Sequence, residues 1–232
     1  EMKGICKSFP GVRALHKVDF KLRKGEIHAL MGENGAGKST LIKVITGIYE
    51  KDDGVCLLNG KPVHFKSSQE AQDMGIATVY QEIALCPNLT VAENMFIGRH
   101  RSAFINWKDM NARAAHLLDS LGIPAKPTQE LSSYSIAIQQ MIAIARAVDM
   151  DCKILILDEP TSSLDEDEAK KLFDLMRALK SRGVGIIFIT HFLDQVYEVS
   201  DKITVLRNGE LIGEYAASEL PKIELVAKML GK

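Results

Sequence analysis

The chain has 232 residues, 46% hydrophobic and 25% charged, which excludes fibrous and disordered classes and leaves room for a substantial core and two subdomains. A net charge of -1, with no basic block, gives no reason to expect nucleic acid or an anionic membrane surface as a partner. No apolar run approaches the ~18 to 20 residues that span a bilayer, and the N-terminus lacks a secretory pattern, so the chain reads as soluble and cytoplasmic, touching a membrane only through other proteins.

From the N-terminus, the first sixty-odd residues read as short strands punctuated by turns at Lys24-Gly25, Asp52-Asp53-Gly54 and Asn59-Gly60. Asn-Gly is a two-residue hairpin signal, here between 56–58 and 63–65. Because the chain opens at Glu1 and Ile5 is already strand-like, it reads as a piece of a longer polypeptide. Within this β-rich layer, an apolar stretch at 27–31 runs into Gly32-Glu33-Asn34-Gly35-Ala36-Gly37-Lys38-Ser39-Thr40, the pattern G-x-x-x-x-G-K-[ST], with a helix from Leu41 onward. The glycines permit a tight turn that aims N–H groups inward, and the following helix presents its positive end. Lys38 adds a point charge for the outer phosphates of a nucleotide, and the Ser39 hydroxyl is placed to ligate Mg²⁺.

Between about 82 and 150 the character becomes helical, with helices expected over 90–97, 111–121 and 138–148 and breaks at Pro87, Pro124 and Pro127. Ile138, Met141, Ile142, Ala145 and Val148 share one helical face, which reads as packing. After Lys153 the pattern is α/β: a buried strand at 154–157, an amphipathic helix over 165–182 and a second buried strand at 185–190. That order implies a parallel sheet with a right-handed crossover. Asp158 and Glu159 sit at the carboxyl end of the first strand, where open α/β sheets bind ligands. There an Asp can hold Mg²⁺ opposite Ser39 and an adjacent Glu can orient and deprotonate a water. Cys6, Cys56, Cys86 and Cys152 are scattered, which suggests neither a zinc site nor a disulfide framework.

Taken together, these separated motifs resemble the ATP-binding-cassette ATPases over essentially the whole chain. Residues 32–40 match the family's Walker A, 154–159 its Walker B with catalytic glutamate, and 162–165 its D-loop. His191 matches the switch histidine, Gln81 the Q-loop, and Phe9 the aromatic that stacks on adenine. The resemblance implies a P-loop NTPase: a RecA-like parallel-sheet core with an antiparallel β subdomain over 1–81 and 151–232, and a helical subdomain over 82–150. It implies ATP and Mg²⁺, the metal held by Ser39, Gln81 and Asp158, with Glu159 and His191 catalytic and His191 donating to the γ-phosphate.

The family signature, L-S-G-G-Q, falls on Tyr134-Ser135-Ile136-Ala137-Ile138 when anchored on Gln139-Gln140-Met141 and Ile144-Ala145-Arg146-Ala147. Ser135 keeps the hydroxyl that contacts the nucleotide of a facing domain in trans, but both glycines are replaced, and Cβ atoms there are expected to crowd a phosphate. These ATPases pair head to tail, so the partner expected is a second cassette, from the other half of a longer chain. The phrases at 25–34, 88–94 and 190–197 look like those of bacterial monosaccharide importers of the ribose, galactose and galactofuranose type. That likeness implies permease subunits at the inner face of the membrane and, through them, a periplasmic sugar-binding protein.

Overall fold

The computed structural model describes residues 1–80, 84–98 and 106–231. In chain order, β1 (Met2–Phe9), β2 (Val12–Phe20) and β3 (Ile27–Met31) precede α1 (Lys38–Ile45), and β4 (Asp53–Leu58) and β5 (Lys61–Val63) follow it. Next come α2 (Ser68–Asp73), β6 (Ile76–Val79), α3 (Val91–Phe96), α4 (Trp107–Ser120), a 3-10 turn at Leu131–Ser133 and α5 (Ile136–Asp149). The last third holds β7 (Ile154–Asp158), α6 (Glu166–Ser181), β8 (Gly185–Ile189), α7 (Leu193–Val199), β9 (Lys202–Arg207), β10 (Glu210–Ala216) and α8 (Lys222–Leu230).

Among the described residues the strands form two sheets. An antiparallel sheet runs β2-β1-β4-β5, and its last pair is the expected Asn59-Gly60 hairpin, with φ of 51° and 77° at the two turn residues. Both φ values are positive, as a turn matched to right-handed strand twist requires, though the second strand stops at Val63. The second sheet runs β10-β9-β3-β8-β7-β6, parallel throughout except for β10. β3 therefore leaves the N-terminal β layer and lies between β8 and β9, which puts the end of Ile27–Met31 beside the ends of the C-terminal strands.

Alternation along each central strand divides the core. Leu155, Leu157, Ile186 and Phe188 point to the helical side, where they pack with residues of α3, α4, α5 and α6 in one cluster. Leu30, Ile156, Ile187 and Ile189 point the other way, onto α1 and onto Ile5, Leu15, Val18 and Phe20 of the antiparallel sheet. The helical segment thus shares its core with the sheet. Helix starts follow their caps: Thr90–Glu93 and Asp165–Glu168 are reciprocal capping boxes at α3 and α6. The Asn106 side chain accepts from Asp109 N and starts α4 at Trp107, four residues before the periodicity alone suggests. α5 likewise begins two residues before the expected 138, at Ile136, so the altered signature residues lie in its first turn. Fully buried Asn94 ties the segment before α3, accepting from Cys86 N at 2.7 Å and donating to Cys86 O at 2.9 Å.

Candidate functional site

The site is built where β3, β7 and β8 end. The loop from Gly32 to Gly37 leaves β3 and turns back through an Ala36 N to Glu33 O bond of 3.1 Å before entering α1. Gly37 caps α1 with φ 104°, and a Cβ there would stand 2.8 Å from Ala14 O, so the loop can rest against β2 only with glycine at this position. A second brace comes from a remote part of the chain. At the β9–β10 turn, Gly209 N donates to Ala36 O at 3.0 Å and Gly209 O accepts from His16 N at 2.7 Å, linking the phosphate loop to β2.

Lys38 folds across this loop, its Nζ donating to Gly32 O at 2.6 Å and Glu33 O at 3.0 Å. Burial lowers its pKa, and the charges of Glu159 and Asp158 oppose that shift. Asp158 shows the complementary effect: burial raises its carboxyl pKa, Glu159 raises it further, and Lys38 pulls it back. These two groups from distant segments therefore face each other electrostatically. Ser39 is exposed, as are Asn34 and Gly35; Thr40 is half-buried, and Ala36 is buried against the antiparallel sheet.

Glu159 holds a left-handed backbone, φ 49°, a conformation that costs a side-chain-bearing residue roughly 1–3 kcal/mol and is common where function dictates the geometry. Its N–H donates to Ile189 O at 2.9 Å, pinning the turn after β7 to the end of β8. The same edge carries His191, whose Nδ1 lies 3.4 Å from Glu159 Oε2 and whose ring lies against Phe192 at a centroid distance of 4.2 Å. Both side chains reach solvent.

Lys38, Asp158, Glu159 and His191 are thus brought to one end of the parallel sheet. Phe9 stands half-buried at the end of β1, its ring edge-on to Tyr49 at 5.2 Å. Ser135 is the exposed N-cap of α5 and makes no capping bond with its side chain. Gln81 lies outside the described residues. Of the two residues that stand in place of the signature glycines, Ile136 is 49% exposed and Ala137 is 2% exposed. Sequence reading also missed a polar link behind the Glu159 turn, where Thr161 Oγ1 donates to Gln195 Oε1 at 2.5 Å. No local pattern joins residues so far apart in the chain.

The donor set suits a small hard cation. A free hydroxyl at Ser39 and a desolvated carboxylate at Asp158, whose ionisation is disfavoured without a nearby positive charge, are oxygen ligands of the kind Mg²⁺ takes. Among the described residues no helix is long and apolar enough to cross a membrane, and no three His, Cys, Asp or Glu residues cluster as a self-contained metal cage.

Comparison with known proteins is consistent with this geometry. The family model described as ABC transporter matches residues 15–162. The chain is 55% identical over 232 residues to the galactofuranose transporter ATP-binding protein YtfR of Escherichia coli strain K12, covering 99% of this chain and 46% of that protein. It is 51% identical to the fructose import ATP-binding protein FruK of Bifidobacterium longum, covering 100% of this chain and 46% of that protein. Among solved structures, the ADP conformation of MJ1267, an ATP-binding cassette of an ABC transporter, superposes with a TM-score of 0.88 at 26% identity, over 100% of this chain and 98% of that one. The chain spans just under half the length of these curated relatives.

Proposed function

The chain belongs to the ABC transporter family, and from that premise we propose that it is an ATP-binding and hydrolysing cassette whose turnover drives import of a monosaccharide across a bacterial membrane, galactofuranose being the sugar that similarity favours. The observation that carries the catalytic reading is the convergence of Lys38, Asp158, Glu159 and His191 at one sheet edge, with mutually opposed shifts at Lys38 and Asp158. In this reading the loop at 32–37 and the start of α1 receive the phosphates through backbone N–H groups, and Lys38 exchanges its two carbonyl partners for phosphate oxygens. Glu159 accepts a proton from the attacking water, and His191 donates a hydrogen bond to the terminal phosphate. Phe9 supports the adenine. Ser39, Asp158 and Gln81 would hold Mg²⁺, which would supply charge neutralisation at the phosphates.

A second cassette, supplied by the remainder of a longer chain, completes each nucleotide site, and permease subunits take up the closing motion and hold the cassette at the inner membrane face. Sugar reaches those subunits from a periplasmic binding protein and never touches this domain. Since Ile136 projects at the N-terminus of α5, the site that this signature completes turns over more slowly than the site built on this chain's own phosphate loop. Mg-ATP hydrolysis by this chain, alone and mixed with the second cassette, tests the proposal with Glu159→Gln in parallel. Activity that the substitution cuts at least ~100-fold while ATP binding persists supports it. Tight binding with no turnover in any mixture replaces it with a nucleotide-gated clamp.

A further inference from the structure

We propose that Gln195 is a positioning residue that locks the turn carrying Glu159 to the turn carrying His191, so that its amide sets the relative placement of the two groups. This rests on the catalytic reading of Glu159 and His191 and goes beyond it, because Gln195 belongs to neither turn and is not among the nucleotide-site residues read from the sequence. It lies in α7, half-buried beneath the ends of β7 and β8.

Two hydroxyls converge on its side-chain oxygen. Thr161, two residues past Glu159 and 2% exposed, donates from Oγ1 at 2.5 Å. Thr190, the residue before His191 and 4% exposed, donates from Oγ1 at 3.4 Å. Thr190 Oγ1 in turn accepts from Phe192 N at 3.2 Å, so its proton is directed toward Gln195 and the backbone on both sides of His191 is held. One amide oxygen, with two lone pairs, thereby satisfies two buried hydroxyls from two different loops. The Glu159 N to Ile189 O bond fixes the start of the first turn, and His191 Nδ1 lies 3.4 Å from Glu159 Oε2 on the solvent side, whereas the exit of that turn, at Thr161, is held by Gln195. The arrangement needs an acceptor at this position.

The hydroxyls also explain why the lock has directional strength. A methyl or apolar group at 195 would strand two buried O–H donors, and the turns would shift to find other acceptors. Displacement of a catalytic group by about 1 Å costs on the order of 100-fold in rate. Nucleotide affinity depends instead on the loop at 32–37 and Lys38, which Gln195 does not touch, so the effect falls on turnover and spares binding.

The experiment is steady-state Mg-ATP hydrolysis by the natural polypeptide carrying this chain, assembled with its membrane subunits, for wild type, Glu159→Gln, Gln195→Leu, Gln195→Glu, Thr161→Val and Thr161→Ser. The Glu159→Gln rate defines the background from the other nucleotide site. Above that background, Gln195→Leu and Thr161→Val are each expected to lower kcat roughly 10- to 100-fold with KM for ATP within about twofold. Thr161→Ser, which keeps the donor, retains turnover. Gln195→Glu, which keeps both acceptor positions, is expected to retain most of the rate at neutral pH. The inference is overturned if Gln195→Leu and Thr161→Val turn over within twofold of wild type, if KM rises in step with the loss, or if Thr161→Ser is as impaired as Thr161→Val. Should Glu159→Gln itself hydrolyse at the wild-type rate, the catalytic reading fails and the inference with it. Thr161→Val differs from wild type by one hydroxyl, so it reports even where Gln195→Leu does not fold.

Discussion

Three glycine-to-alanine substitutions separate the phosphate loop's role in folding from its role in binding. At Gly37, φ is 104° and a new Cβ would meet Ala14 O at 2.8 Å and Leu15 Cδ2 at 2.9 Å. A left-handed residue bearing a Cβ costs about 1–2 kcal/mol, and forcing a methyl against backbone and a packed side chain adds roughly 1–3 kcal/mol. Gly37→Ala should therefore lose ~3 kcal/mol, a large share of the ~5–15 kcal/mol that holds a domain together. Gly35, φ 83°, and Gly60, φ 77°, have no atom within 4 Å of the added carbon, so each should lose only the conformational cost of about 1–2 kcal/mol. The difference lies in place: Gly35 is in the phosphate loop, Gly60 in the distant hairpin. Urea unfolding with and without Mg-ATP reads both effects. At 100 times the wild-type Kd, ligand adds ~2.7 kcal/mol; Gly60→Ala should keep that gain. A Cβ that holds phosphate off the Gly35 backbone and weakens binding tenfold would reduce the gain to about 1.4 kcal/mol. The reasoning is refuted if Gly37→Ala is no less stable than Gly35→Ala, or if Gly35→Ala keeps the whole ligand gain.

Two further outcomes follow from the site. Because the folded state raises the Asp158 pKa, its protonated form is the favoured one: the favourable contribution is present below the ordinary carboxylate value and is lost as pH rises through the folded value, leaving a cost at neutral pH. Asp158→Asn should thus stabilise the nucleotide-free chain at pH 7, an advantage that fades as pH falls to the ordinary carboxylate value, while abolishing Mg²⁺-dependent ATP binding; thermal melts across pH with and without Mg-ATP check it, and a lower midpoint at pH 7 would contradict it. Ile136→Gly should speed hydrolysis at the site this signature completes, whereas Ala137→Gly should cost ~1 kcal/mol of stability and leave the rate unchanged, since Ala137 faces inward. Single-turnover rates in the two-cassette assembly decide this, and faster turnover in Ala137→Gly alone would reverse the assignment.

Much of this protein is written in short segments. The turn chemistry of Gly32 to Lys38, the apolar strand ending in Asp158-Glu159, the Asn59-Gly60 hairpin and the two capping boxes each depend on residues a few positions apart, so each can be read before any fold is known. Boundaries drifted where a side chain outside the periodic pattern decided them, as Asn106 did for α4. Short elements such as β6, four residues long, carried too little pattern to be seen. What the sequence could not show is which distant segments would meet. Strand order placed β3 between β8 and β9, and only then did Lys38 face Asp158, Gly209 brace Ala36, and Gln195 reach both Thr161 and Thr190. The burial of Ala137, beside an exposed Ile136, was likewise settled only by the fold. Local steric and hydrogen-bonding preferences act over a few residues and are carried by the chain itself. Contacts between remote residues exist only once hydrophobic burial has chosen one sheet order, and that choice belongs to the tertiary structure.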